Sequence, residues 1–363
     1  VPISATDTIT LAFEHTKRQL FQPFRLWQWT RLAFVGLLAG ELGSSGGLHL
    51  PTGFNPPQHS SSPGDLGLPH IPHIDIALLA GIIAVLVIVA FVFGIILMYI
   101  SSVMRFILFD SVLMKNCRIR EGWRRRQSAG WKYFLWQLGF AIAVFAGMAV
   151  LLGIPALFAF LMGWFHDPRQ HLVGFILGGV LLFFLFMALL IAAGVIQVLT
   201  KDFVVPQMAL EGVTAMEGWR RLGPMIEAEM GGYAAYVGMK IVLAIGAGIV
   251  IFLASLIVVF ILLIPIVGVG VAVGLGGKAA GLTWNVFTIT AIVVAVCVVV
   301  AVLFYLLSLV SVPVIVFFPA YSIYFFAARY RPLSLVLYPP PPPLPLESVP
   351  PPETPPFTPA PAL

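Results

Sequence analysis

The side chains best placed to do chemistry in this sequence are arginines. Arg118, Arg120, Arg124, Arg125, Arg126 and Lys132 crowd one polar stretch around Trp123, and Trp219, Arg220 and Arg221 mark a second. The pentapeptide Glu-Gly-Trp-Arg-Arg stands in both, at 121–125 and at 217–221. A guanidinium fork pairs with phosphate or carboxylate oxygens, and an indole beside it is stable at the headgroup plane of a bilayer. Each copy also sets a glutamate four residues before an arginine, Glu121 before Arg125 and Glu217 before Arg221, the order that supports a helix. These residues predict contact with membrane lipids, preferentially anionic, or with an acidic face on a membrane-protein partner. The competing reading is topological, with the charges only holding their loops on one side of the membrane.

The two stretches differ in strength. The first has eight basic residues, from Arg105 to Lys132, against Asp110 and Glu121. Each contributes about 1 kcal/mol beside an anionic leaflet. The second carries Glu211, Glu217, Glu227 and Glu229 and is expected to bind lipid more weakly.

Other chemistries are poorly supplied. Lys240 is the one charge within the five clear apolar runs, too little for an ion pump. Pro155 and Pro265, the latter followed by Gly268, Gly270 and Gly274, are places where helices could break, as they do in transporters. Six of the seven histidines (His49, His59, His70, His73, His166 and His171) fall between the runs, so intramembrane haem or chlorophyll ligation is not expected. His70, His73 and Asp75 have no recognised metal spacing. No phosphate loop, catalytic Ser/His/Asp set or metallohydrolase motif occurs. The sequence predicts no enzyme, no catalytic residue, no cofactor, no metal and no nucleic-acid partner. Cys117 and Cys297 fall at a surface and inside a span, so no disulfide is expected.

Apolar helices must position the polar stretches. Sixty per cent of residues are hydrophobic, ten per cent are charged, and the mean hydropathy is +1.01. About 20 helical residues cross about 30 Å of hydrocarbon. Five runs meet that length, at 76–100, 133–154, 172–199, 233–263 and 286–312. A sixth candidate, 26–43, contains Arg31, and the basic residues before it favour a crossing over an interfacial helix. The chain therefore reads as an all-α integral membrane protein of about six transmembrane helices. Repeated helix–interfacial connector–helix units are expected, with connectors at 105–132 and 201–231 on the inner side. Residues 1–25 form an amphipathic cytoplasmic segment without the basic-then-apolar order of a secretory signal. Residues 26–330 form the membrane domain, with an outer loop at 41–75, and residues 331–363 form a proline-rich cytoplasmic tail. Basic residues gather in the connectors and behind the last span, while Arg169 and Lys278 alone fall in outer loops. Both termini are thus expected in the cytoplasm of a bacterium, at its inner membrane.

Phe106, Phe203 and Phe317 open similar segments after inward-going runs, which suggests a three-fold unit. Gly139, Ala143 and Gly147, and Gly174 with Gly178, place small residues on single helix faces, a pattern for close helix packing. The five consecutive prolines from Pro339 predict polyproline II, a form that docks on aromatic grooves.

The run Phe13-Glu-His-Thr-Lys-Arg-Gln-Leu-Phe-Gln-Pro-Phe24, with Trp27 and Leu32, carries a resemblance. So do Asp202-Phe-Val-Val-Pro206, Met208-Ala-Leu-Glu-Gly212 and Trp219-Arg-Arg221. Together they resemble an uncharacterised family of bacterial multipass membrane proteins. That family is similar to the membrane domain attached to some glycerophosphodiester phosphodiesterases. The resemblance covers roughly residues 10–330 and implies a multipass helical fold. The catalytic domain is absent, so it does not imply phosphodiesterase activity. The function expected is that of a non-catalytic structural or accessory subunit of a larger inner-membrane complex, respiratory or photosynthetic. The alternative is a stand-alone transporter or lipid-handling protein that uses Lys240.

Overall fold

A computed structural model describes residues 4–41, 76–164, 171–279 and 286–339 of the chain. Most of the expected outer loop and nearly all of the proline-rich tail lie outside the described residues, as do five of the six histidines between the runs. Among the described residues there is no strand, and nearly all of them are helical. Two short helices come first, α1 (Asp7–Phe21) and α2 (Leu26–Leu38). Long helices follow: α3 (Ile76–Leu113), α4 (Ile119–Leu161) and α5 (Leu172–Leu199). A π-helical turn, Thr200–Val204, leads into α6 (Val205–Glu211) and α7 (Ala215–Ala228). The chain continues through α8 (Met230–Ala279), α9 (Val286–Val310), α10 (Val312–Ala327) and α11 (Arg331–Leu337).

Local sequence explains where these elements start and stop. Gly212 adopts φ +69° after α6, and its N–H closes on the Met208 carbonyl, a left-handed cap that glycine takes without a Cβ penalty. Thr214 caps α7, its hydroxyl accepting from the Glu217 N–H at 3.3 Å. Pro206 has no N–H to return to the carbonyl four residues back. The π turn just before it absorbs that defect, with Val205 N–H reaching back to the Thr200 carbonyl. Pro155 and Pro265, expected as possible breaks, lie inside the continuous helices α4 and α8. Transmembrane helices tolerate proline where local adjustment re-satisfies the freed carbonyl.

Five long apolar segments can cross a bilayer: Leu78–Leu113, Ile119–Leu161, Leu172–Glu211, Met230–Gly268 and Phe287–Ala327. The chain is an all-α membrane protein. The sixth crossing expected at 26–43 is not among them. α2 has 13 residues, about 20 Å of helix against about 30 Å of hydrocarbon. Its contacts place it elsewhere. Gln28 donates to the Lys115 carbonyl and Arg31 to the Cys117 carbonyl, each at 3.2 Å, while the Ala39 carbonyl accepts from Arg105 at 2.8 Å. α2 therefore lies along the last turns of α3. An arginine in a crossing helix would have to reach for the surface with its long stem. Arg31 instead ties α2 to the segment after α3 and stacks 5.0 Å from the Trp27 ring.

Burial divides the molecule in two. Within the spans almost nothing is buried, at most 6 % of the most apolar window of any one, so their apolar faces are left bare by the rest of the described chain. At one end of the spans α1, α2, the end of α3, the start of α4, the π turn, α6, α7, the start of α8 and α10 close around a dense core, called the base below. Phe106, Phe203, Tyr236, Tyr321, Phe325 and Phe326 are fully enclosed there. Burying each such ring stabilises the base by roughly 1.5–3 kcal/mol. Glycines allow the close approaches. A Cβ on Gly122 would stand 3.1 Å from Ile107, and one on Gly218 would stand 2.7 Å from Val204. The two pentapeptide glycines thus meet the residues that follow Phe106 and Phe203.

Candidate functional site

Five ionisable side chains converge where the spans enter the base. Arg105 comes from α3, Lys201 and Asp202 from the π turn, Lys240 from α8, and Glu41 from three residues beyond α2. Lys201 Nζ lies 2.5 Å from Glu41 Oε2. Asp202 Oδ2 accepts from Tyr236 OH at 3.0 Å and also pairs with Lys240. Arg105 donates to Tyr133 OH at 3.1 Å and to the Ala39 carbonyl, while its Nε is buried with no partner. Lys240 also sits 5.8 Å from the Phe318 ring. Ion pairs at this depth offset a desolvation penalty of several kcal/mol per ion, so removing one partner is far costlier than never having had either.

The cluster borders two spaces. One is a small cavity of about 30 Å³ that adds Phe109, Pro206 and Pro319 to these side chains, room for a water-sized occupant. The other is a groove of about 320 Å³ between α5 and α8. Its walls are Ile191, Gly194, Val195 and Val198 on one side and Val237, Ile241 and Ala244 on the other. Glu41, Lys201, Lys240 and Phe318 close its end. Both helices present these residues at i, i+3 or i+4, and i+7, so each contributes one continuous face. Lys240, the one charge within the five apolar runs, is held by Asp202.

The arginines named from the sequence divide into two groups. Arg118, just before α4, and Arg120, Arg124 and Arg125 on its first turns are exposed, with Arg118 and Arg125 at 3.2 and 3.6 Å from Glu121. Lys132 is exposed and donates to the Gly212 carbonyl at 3.0 Å. Arg126 is turned inward. It forks onto Asp110 with two bonds of 2.7 Å and reaches the Ala209 carbonyl at 2.5 Å. In the second stretch Arg220 lies 2.7 Å from Glu217, and Arg221 bonds Glu217 at 3.0 Å and also Glu211. The Arg221 hydrogen bond holds the Glu217 carboxyl below its ordinary value. Trp219 donates to Thr200 Oγ1 at 3.1 Å, and Trp123 packs edge-on to Tyr99 at 6.2 Å, so both indoles are half-buried struts.

The expected packing stripe does not draw the spans together over most of its length. A Cβ on Gly147 would stand 3.8 Å from Leu189 on α5 and one on Gly174 would stand 3.1 Å from Trp164, but a Cβ on Gly139 or Gly178 would meet nothing within 4 Å. Ala143 is exposed. At those depths the helices are spread apart. The tight glycine contacts are at the base, through Gly36, Gly122, Gly130 and Gly218.

Glu41, Asp110, Tyr236 and the pairing of Lys201 with its neighbours escape sequence reasoning, since their partners are up to 160 residues away. One signal was present: Asp202 and Pro206 follow a long apolar run, where a charge and a helix-breaking residue have no structural reason to stand. Among the described residues no group of three or more His, Cys, Asp or Glu is arranged to hold a metal.

Residues 3–336 match the model of a protein family described as of unknown function, DUF7544. No curated protein and no solved structure matches the chain.

Proposed function

Since the chain belongs to the DUF7544 family, whose function is unknown, we propose from its own geometry that it is a non-catalytic, lipid-handling membrane protein. Its base rests on the anionic leaflet of a bacterial inner membrane, with the described ends of the chain on the cytoplasmic side. The observation that carries this reading is the group Arg118, just before α4, and Arg120, Arg124 and Arg125 on its first turns, all exposed at the end of an apolar span. Lipid phosphates are the anions present at that level, and each arginine adds about 1 kcal/mol to their attraction. The resemblance to the membrane domain of some glycerophosphodiester phosphodiesterases is in keeping with work at the lipid headgroup.

The test is native mass spectrometry of the full chain in detergent, titrated with phosphatidylglycerol and with phosphatidylcholine. Replacing Arg120, Arg124 and Arg125 together by Gln is expected to weaken phosphatidylglycerol binding by at least about tenfold, roughly 1.4 kcal/mol. Phosphatidylcholine binding is expected to stay the same. Unchanged phosphatidylglycerol binding would leave these charges a topological role only.

The accessory-subunit reading has its own support in the bare span faces, which a neighbouring membrane protein could cover as well as lipid. Purification from native membranes in mild detergent separates the readings. A stoichiometric partner favours the subunit, and a lone chain with lipid favours lipid handling.

A further inference from the structure

The groove between α5 and α8 combines two properties that a plain lipid-facing surface does not need together. Its walls are aliphatic at helical spacing, with Ile191, Val195 and Val198 facing Val237, Ile241 and Ala244. An acyl chain fills such a furrow without leaving any polar group unsatisfied. Its end is charged, and the charge does not balance. Among the described residues around the adjoining cavity, Arg105, Lys201 and Lys240 stand against Glu41 and Asp202, three cations to two carboxylates. An excess positive charge withdrawn from water is costly unless an anion lies beside it. The buried, unpartnered Nε of Arg105 belongs to the same cluster. Lys240 already serves Asp202, but an ammonium has three N–H donors and can serve a second acceptor.

Size narrows the occupant further. At about 320 Å³ the groove stands at the small end of ligand pockets, which run from about 300 to 1,000 Å³. That favours one chain over two. The 30 Å³ cavity behind the lysines is too small for a headgroup, so the anion must sit at the groove's end. We infer that the groove is a binding site for a single-chain anionic amphiphile, with its chain between α5 and α8 and its carboxylate or phosphate against Lys201 and Lys240. The site uses none of the exposed arginines of α4 and stands or falls independently of leaflet binding by them.

Photolabelling of the full chain in phosphatidylcholine nanodiscs tests this. Three probes of equal chain length, each with a diazirine in the tail, are compared: a fatty acid, a lysophosphatidic acid and a fatty alcohol. At least one anionic probe is expected to label the peptides holding 191–198 or 237–244 at least about tenfold more than the alcohol does, a difference of roughly 1.4 kcal/mol. Labelling by the carboxylate alone identifies a free fatty acid, and labelling by the phosphate alone a lysophospholipid. Labelling by both identifies a site that reads charge. Gly194→Leu supplies the second arm. A Cβ at Gly194 meets nothing within 4 Å, so the new side chain occupies the groove without displacing the fold. Its melting temperature is expected to match that of the wild type while the anionic preference is lost. Equal labelling by the alcohol, no labelling at either segment, or an anionic preference undiminished in Gly194→Leu would each overturn the site.

Discussion

Replacing Arg126 by Gln separates the arginine that builds the base from those that face outward. Arg126 and Asp110 are about 15 % and 14 % exposed, and their two 2.7 Å bonds join the end of α3 to the start of α4. A third bond, to the Ala209 carbonyl, brings in α6. Removing one member of a buried pair typically costs 3–5 kcal/mol, because the other charge is left without water or partner. Partial exposure of both side chains points to the lower end, about 3 kcal/mol, or about two powers of ten in the folding equilibrium. Gln can keep one bond to Asp110 but cannot neutralise it. Arg124→Gln with Arg125→Gln, by contrast, alters exposed groups worth at most about 1 kcal/mol each. The assay is unfolding of the full chain in mixed micelles of rising SDS content, followed by tryptophan fluorescence. Arg126→Gln is expected to unfold at clearly lower SDS than the Arg124/Arg125 pair. Changing both partners, as Arg126→Met with Asp110→Leu, is expected to recover most of the loss. If Arg126→Gln is as stable as the outward pair, the Arg126–Asp110 pair does not hold α3 to α4.

Glycine substitutions should divide by depth. A Cβ at Gly130 would stand 2.5 Å from Val103 Cγ2 and 3.1 Å from its Cα, so Gly130→Ala is expected to cost about 1–3 kcal/mol. Gly139→Ala has open space around it and should be neutral or stabilising by up to about 1 kcal/mol, as helix propensity favours alanine; equal effects in the same SDS titration would refute the division. Acid should loosen the base through His15, whose Nε2 lies 3.0 Å from the Val112 carbonyl and whose Nδ1 lies 3.1 Å from Tyr324 OH. Burial, and then the charge of Lys115, hold this imidazole below its ordinary value of 6.5, so the folded state favours the neutral ring. Its contribution is present in full above that value and is lost as pH falls from there through the lower folded value. Melting of the wild type between pH 7.5 and 5.5 is expected to drop more than that of His15→Gln, and parallel curves would remove His15 from the account.

Hydropathy made the five spans legible because lipid demands a long run of apolar side chains whatever the rest of the chain does. It overreached at 26–43. There Trp27, Trp29 and Phe34 read as a membrane segment, yet the helix is too short to cross, and Leu32 and Val35 are buried in the base. A window average cannot tell a short buried helix from a short span, since both are apolar. The arginine cluster was visible as composition, but which arginine faces inward depends on Asp110 sitting one helix back. The charged end of the groove was hidden for a similar reason. Each of Glu41, Arg105 and Lys201 looks like a routine charge near a span end until the fold gathers them around Lys240. The small-residue stripe was a sound pattern applied at the wrong depth, because these spans spread where Gly139 and Gly178 stand.

The base is closed by contacts between the two extremes of the described chain. α1 lies against α10, Ala5 accepts from Tyr321 OH at 3.2 Å, and His15 meets Tyr324 across 309 positions. On a ribosome α1 emerges hundreds of residues before α10. The spans must therefore be threaded into the bilayer one after another while the segment meant to seal them waits without its partner. Insertion and sealing are separate events in the birth of this protein, and the second cannot begin until the last span is in place. A chain stalled before α10 would have all its earlier spans in the membrane and an open, sticky underside, the kind of intermediate that quality-control proteases are built to find.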